Sequence, residues 1–251
     1  MIVDVHCHLY FPQFDEDREE AIKRAEANGL VAIVNAGTDH ESNVKVLELS
    51  EKYKIVRATL GLYPTTALKL SEEELDKEIE FIKSNKDKVV GIGEIGLDFK
   101  LTTEPKQQQR QIEVFKKIIT SLKDLNKTFV IHSRKAEKEC VEILEELEVK
   151  KVNFHCFSGS FKLAKRIEAN NWTMSIPANI DKSQHFQGIV EQTSINNILT
   201  ETDAPFLSPA GETRCEPSFI KQTLNKIAEI KQMDVKEVTN NIYLNYQKLF
   251  S

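Results

Sequence analysis

The chain has 251 residues, 40% of them hydrophobic and 29% charged, with a formal net charge of −5. That balance excludes a disordered or fibrous chain, and the length suits one α/β barrel better than a sandwich, so residues 1–251 are expected to form a single domain. No apolar run reaches the roughly 18 residues needed to cross a bilayer, and the negative field repels nucleic acid as a whole, so any nucleic-acid chemistry has to rest on local cations or metal.

The first strand candidate is Ile2–Cys7, with no basic region ahead of it, so a secretory signal is not expected and a cytoplasmic setting is. Further strand candidates follow at Leu30–Asn35, Ile55–Leu60, Val89–Glu94, Thr128–His132, Lys151–His155, Trp172–Ile176 and Asn197–Thr202. Amphipathic helical segments lie between them, as in Lys106–Leu125, where Ile112, Phe115, Ile119 and Leu122 recur at helical spacing. Ser71 with Glu74, and Asp234 with Glu237, read as capping boxes that open helices. Eight strands in alternation with helices predict a closed (β/α)8 barrel of the TIM type rather than an open doubly wound sheet. The four cysteines, Cys7, Cys140, Cys156 and Cys215, show no CxxC spacing and are expected as reduced, buried thiols.

Metal-ligand side chains recur at the ends of these strands. His6 and His8 stand at i and i+2 on one face of an extended strand together with Asp4, while Val3, Val5 and Cys7 take the other face. The polar face is expected to be the lumen, because three ionisable groups under the helices would be desolvated without partners. The same alternation turns Glu94, His132, His155 and Asp203 inward, and five strands then deliver ligands to the C-terminal mouth where barrel enzymes work. Imidazoles with two carboxylates suit Zn2+, Mn2+ or Fe2+, and a site richer in carboxylate and water suits Mg2+. Six ligands exceed one tetrahedral ion, so two divalent ions (Zn2+, Mn2+ or Mg2+) are expected to share a carboxylate. His6, His8 and Asp203 are assigned to one ion, His132 and His155 to the other, with Glu94 between them. Asp4 is expected behind an imidazole, and Glu201 either likewise or beside a cation. Asp98, placed on a loop after Glu94, either positions substrate or water or caps a turn. His40 and His185 read as ordinary surface residues, and Cys7 and Cys156 as outward-facing and outside the chemistry.

The segments IVDVHCHL (Ile2–Leu9), VGIGEIGLDF (Val90–Phe99), VIHS (Val130–Ser133), FHCFS (Phe154–Ser158), LTETDAPFL (Leu199–Leu207) and RCEP (Arg214–Pro217) occur in this order. Together they resemble the successive signatures of TatD-type metal-dependent deoxyribonucleases over nearly the whole chain. The resemblance implies a metal-dependent hydrolase on an amidohydrolase-like barrel, with divalent ions at His6, His8, Glu94, His132, His155 and Asp203. It further implies hydrolysis of DNA phosphodiesters, often from an exposed 3′ end. The chain departs from the family pattern at Tyr63, in Gly61-Leu62-Tyr63-Pro64, where many members have histidine, and at Cys215, where asparagine is common. Tyr63 can donate a hydrogen bond near the phosphate but supplies no cation. Arg214 is expected either to contact phosphate through two guanidinium nitrogens or to anchor its loop against an acid such as Glu216.

The expected mechanism is attack on phosphorus by a hydroxide formed on the ions, with Asp203 orienting the water or accepting its proton and Glu94 bridging. Arg214 would meet the developing charge, with Arg134 and Lys135 as weaker candidates. Substrates of other classes on the same barrel would be amides, lactones or D-aminoacyl esters of tRNA, but Glu94 stands on strand four, where cyclic amidohydrolases often place a modified lysine. A binding protein without catalysis would have no reason to keep the full ligand set. DNA or short nucleic-acid ends are the expected partner, with no membrane and no obligate protein partner, and the acidic surface implies contact with few phosphates.

Overall fold

Alternation of strand and helix runs through the whole computed structural model, which describes residues 1–250. In chain order the elements are β1 (Ile2–Cys7), α1 (Arg18–Ala27), β2 (Leu30–Ala36), α2 (His40–Lys52), β3 (Val56–Leu60), α3 (Pro64–Ala67), α4 (Glu72–Ser84), β4 (Gly91–Asp98) and α5 (Pro105–Leu122). They continue as β5 (Thr128–Arg134), α6 (Glu137–Glu146), β6 (Val152–Phe154), α7 (Phe161–Ala169), β7 (Thr173–Ile176), α8 (Gln184–Gln192), β8 (Ile198–Thr200), α9 (Ile220–Lys231) and α10 (Val235–Phe250). No helix is long and apolar enough to cross a membrane among the described residues.

The eight strands lie in sequence order and every neighbouring pair is parallel, as the (β/α)8 reading requires. The ends of the sheet meet just beyond β8. There Asp203 N–H donates to His6 O (2.9 Å), His8 N–H to Ala204 O (2.7 Å) and Thr200 Oγ1 to Val3 O (3.0 Å).

Strand positions agree with expectation and some ends do not. β4 starts at Gly91 rather than Val89 and runs on to Asp98, because a register shift between Ile92 and Ile95 lets it keep pairing with β5. β6 and β8 are shorter than their apolar runs, since pairing stops where the chain turns into the site.

Helices form where the apolar period predicts. In α5, Phe115, Ile119 and Leu122 are buried, Val114 and Ile118 join them, and Ile112 is only half-buried. Each fully buried side chain of this kind stabilises the fold by about 1.5–3 kcal/mol. Ser71 and Glu74 form the expected capping box, whereas Asp234 accepts from Lys236 N–H (2.8 Å) in place of the expected pairing with Glu237. The α2 box, between Asp39 and Ser42, escapes the sequence pattern because serine replaces the usual Glu or Gln.

Strand alternation sorts the core. Val3, Val5 and Cys7 are buried with the helix side chains. The lumen is polar along β6, β7 and the end of β8: Asn153 Nδ2 donates to Ser175 Oγ (2.9 Å), which donates to Glu201 Oε2 (2.6 Å).

Candidate metal centre

Two clusters of ligand atoms form at the C-terminal mouth. In the first, His6 Nε2 and His8 Nε2 lie 3.2 Å apart, and Asp203 Oδ1 lies 3.6 and 3.4 Å from them. In the second, His132 Nδ1 and His155 Nε2 lie 3.2 Å apart. Glu94 spans both. Its Oε2 is 3.4 Å from both His6 and His8 Nε2, while its Oε1 is 2.8 Å from His132 Nδ1 and 3.2 Å from His155 Nε2. The His6 and His155 rings stack at 4.0 Å and tie the clusters together.

Hydrogen bonds behind the rings decide which nitrogens face inward. His8 Nδ1 sits 2.9 Å from the Ala36 carbonyl and donates to it, which leaves Nε2 bare toward the cluster. His132 Nε2 sits 3.2 Å from Asp98 Oδ2 and 3.2 Å from the Tyr63 hydroxyl, which leaves its Nδ1 bare toward Glu94. Bare nitrogens therefore face carboxylate oxygens and other ring nitrogens at 2.8–3.4 Å, acceptor against acceptor. Positive charge between them, a proton or a metal cation, is what such a set calls for, and imidazole with carboxylate is the donor chemistry of Zn2+, Mn2+ and Fe2+. The residues fit a divalent metal centre. Groups of three of these side chains, His6/His8/Asp203 and Glu94/His132/His155, present ligand atoms within 4.8 Å of one another.

Electrostatics agree. Burial alone would raise the Glu94 carboxyl, but His155, His132 and His6 outweigh it and hold the group well below the usual carboxylate range. Asp203 is likewise pulled down against its burial by His8, His155 and His6. Burial would lower His155, yet Glu94 and Glu201 raise it well above an ordinary imidazole. The centre is thus built for anionic carboxylates facing positive charge.

Several expectations need correction. Asp4 is not behind an imidazole. One level below His6 on the same face, it accepts from Thr202 N–H (3.0 Å), Thr202 Oγ1 (2.5 Å) and His6 N–H (3.2 Å), locking β1 to the chain after β8, and burial pushes its carboxyl up to about 8. The acid beneath an imidazole is Glu201, whose Oε1 is 3.5 Å from His155 Nδ1. Asp98 is not on a loop but ends β4, fully buried, and its carboxylate turns away from the cavity. It accepts from Tyr63 Oη (2.8 Å), Leu101 N–H (2.8 Å) and Lys100 N–H (3.0 Å), so it both orients His132 and closes a turn. Tyr63 lines the cavity with its ring, but its hydroxyl is committed to Asp98.

Arg214 does not reach the site. It donates to Asp17 (2.6 and 2.8 Å) and Gln13 O (2.6 Å) and lies over the Phe14 ring, so the loop-anchoring reading describes it, with Asp17 as partner. The expected acid, Glu216, lies 3.7 Å from the Arg214 guanidinium and is held more closely by Arg24 (2.6 Å). Cys156 does not point to the helices. Its backbone is left-handed (φ +46°), which breaks the alternation and turns the side chain into the cavity, and burial keeps its thiol protonated. His40 is exposed and pairs with Glu78 (2.9 Å), and His185 is half-buried on α8, stacked on Phe161.

The clusters floor an open cavity of about 750 Å³ whose walls include Phe11, Tyr63, Arg134, Cys156, Phe206 and Leu207. Arg134 lines this cavity and has no ion-pair partner among the described residues, whereas Arg214 is paired outside it. Phe11 and Phe206 carried no sequence signal of their own. The only pointer is position, each three residues past a ligand candidate, His8 or Asp203.

The description "TatD related DNase" belongs to the family whose model matches residues 3–251. An uncharacterized metal-dependent hydrolase of Methanocaldococcus jannaschii is 36% identical over 248 residues, covering 99% of this chain and 96% of the relative. Deoxyribonuclease TATDN3 of Homo sapiens is 34% identical over 260 residues, covering 99% of this chain and 94% of the relative. Among solved structures, the TatD homologue YjjV from Escherichia coli superposes with a TM-score of 0.91 at 26% identity, covering 99% of this chain and 97% of that one.

Proposed function

The chain belongs to the TatD-related DNase family of metal-dependent hydrolases, and from that premise we propose that it hydrolyses DNA phosphodiester bonds at strand ends with two divalent ions. His6, His8 and Asp203 would hold one ion, His132 and His155 the other, and Glu94 would bridge. The observation that carries this reading is the division of Glu94, one oxygen toward each histidine cluster. A shared carboxylate of this kind is what a clamp on the attacking and leaving oxygens needs. The imidazole content favours Zn2+ or Mn2+ over Mg2+.

When bound, such ions supply Lewis-acid polarisation of the phosphoryl group and acidify water toward a pKa of roughly 7. The remaining work falls to the chain. Asp203, whose side chain is 14% exposed at the cavity floor, accepts the proton of the attacking water as the bond from phosphorus to the sugar oxygen breaks, and the departing oxygen takes its proton from solvent at the open mouth. Its carboxyl is held below the usual range, so it enters the step ionised. Arg134 meets the charge on the phosphate oxygens from the cavity wall. Asp98 and Tyr63 hold the His132 ring in the tautomer that turns its Nδ1 inward.

Metal analysis of the purified protein, with turnover measured on single-stranded DNA, a D-aminoacyl-tRNA and small amides, tests the reading. Two equivalents of metal and turnover on DNA are expected, with Glu94→Gln reducing kcat by about 100-fold or more, the upper range for altered support of a metal site. Absence of bound metal, full activity of Glu94→Gln, or turnover only on the carbonyl substrates would each overturn it.

A further inference from the structure

Phe206 is 44% exposed although it follows Asp203 by three residues and lines the cavity above the metal ligands. The Phe11 ring meets it edge to face, with centroids 5.3 Å apart and planes at 82°. The His8 ring touches both, at 5.6 Å from Phe11 and 6.3 Å from Phe206. An aromatic surface left open to water beside a hydrolytic centre is a platform without its counterpart.

Charge around the mouth is uneven. A neighbouring cavity of about 510 Å³ shares Phe11 and Thr38 with the first and carries Asp15, Asp39, Glu41 and Glu48. Its two cations are committed, Arg18 to Asp15 (2.5 Å) and Lys45 to Glu41 (2.6 Å), so this side repels phosphate. Across the barrel, four strands round from β1, Arg134 and Lys135 follow His132 and have no ion-pair partner among the described residues. The mouth therefore offers an exposed aromatic ring, Phe206 braced at a right angle by Phe11, on the β1/β8 side and the unpaired Arg134, with Lys135 next to it in sequence, on the β5 side.

Resting on the phosphodiesterase reading above, we propose that Phe11 and Phe206 form a stacking subsite for one unpaired nucleobase, while Arg134 and Lys135 take the phosphate chain. Every base has a π-face, so such a platform tolerates any sequence but demands a base free of its partner. A cavity of about 750 Å³ lies in the size range of small-ligand pockets and accepts a nucleotide.

The test compares binding of dAMP with that of 2-deoxyribose 5-phosphate by titration calorimetry on the metal-loaded full chain, and runs alongside a DNA cleavage assay. Both probes carry the phosphate, so their difference isolates the base. At least about fivefold tighter binding of dAMP is expected, the lower end of what one stacked base contributes. Phe206→Ala should abolish the preference and Phe206→Trp should keep it, while Arg134→Ala should weaken both probes alike. Equal binding of the two probes to the unaltered protein, or a preference that survives in Phe206→Ala, would overturn the subsite. DNA cleavage without base preference would sink the subsite alone, whereas base preference without DNA cleavage would sink only the phosphodiesterase reading.

Discussion

At the scale of the residue, Arg214 illustrates how a chemically suitable side chain can be spent on architecture. Its two guanidinium nitrogens already hold Asp17 at 2.6 and 2.8 Å, and reaching the cavity would strand that carboxylate. Arg214→Ala should therefore leave KM for DNA unchanged and lower Tm by about 2–4 °C, the shift for a partly exposed pair worth about 1 kcal/mol, read by thermal denaturation. The penalty depends on pH in a defined sense. Arg214 first, then Arg24, holds the Asp17 carboxyl below its ordinary value, and Arg24 holds Glu216 down against burial. Carboxyls depressed in the folded state stabilise it above their unfolded pKa of about 4 and lose that contribution as pH falls through the folded values. The Tm difference between Arg214→Ala and the unaltered protein should be full at neutral pH and shrink below about pH 4; a difference that grows on acidification would contradict this account. Position alone told Arg214 and Arg134 apart, and position depends on loops that no residue pattern encodes.

At the scale of the element, β4 shows what alternation can and cannot deliver. Counting by twos placed Glu94 inward, beside the imidazoles it faces in the fold, yet the register shift between Ile92 and Ile95 ends the strict period and carries the strand to Asp98. Asp98 was read as a loop residue for that reason. Cys156 departs from alternation through the same kind of break, its positive φ resetting the count just past His155, whereas β1 carries register shifts of its own, between Ile2 and Val3 and between Asp4 and Cys7, and still brings His6 and His8 together. Periodicity is a local property, so it holds until the backbone leaves the strand, and catalytic ends are where the backbone leaves. The backbone around Glu94 is also crowded from β3: a Cβ on Gly61 would lie 2.4 Å from both the nitrogen and the oxygen of Glu94. Gly61→Ala should displace Glu94, lowering stability by about 1–3 kcal/mol and cutting metal content below that of the unaltered protein. Unchanged metal content in a folded Gly61→Ala protein would show that this contact does not set the carboxylate.

At the scale of the whole molecule, a net charge of −5 limits how much nucleic acid the surface can engage. With two free cations at the mouth, log affinity for single strands should fall with log salt at a slope of about −1.4, two phosphates at about 0.7 each. Fluorescence anisotropy across a salt series measures it, and a slope several times steeper would mean a long basic track that this surface lacks. The (β/α)8 order is legible because apolar runs and helical periods are written in composition over many residues, and the cluster of histidines and carboxylates because its members end those runs. The closure of the sheet has a consequence in time. Asp203 N–H bonds to His6 O, so the first and last ligands of one cluster come from opposite ends of the chain, while Glu94, His132 and His155 lie between them in sequence. A ribosome adding roughly 5–20 residues per second needs about 10–40 seconds after His6 emerges to deliver Asp203. Until then the cluster around His6 is open on one side, so on the reading proposed above a fragment stopped short of β8 would carry an incomplete ligand set and take up less metal than the full chain.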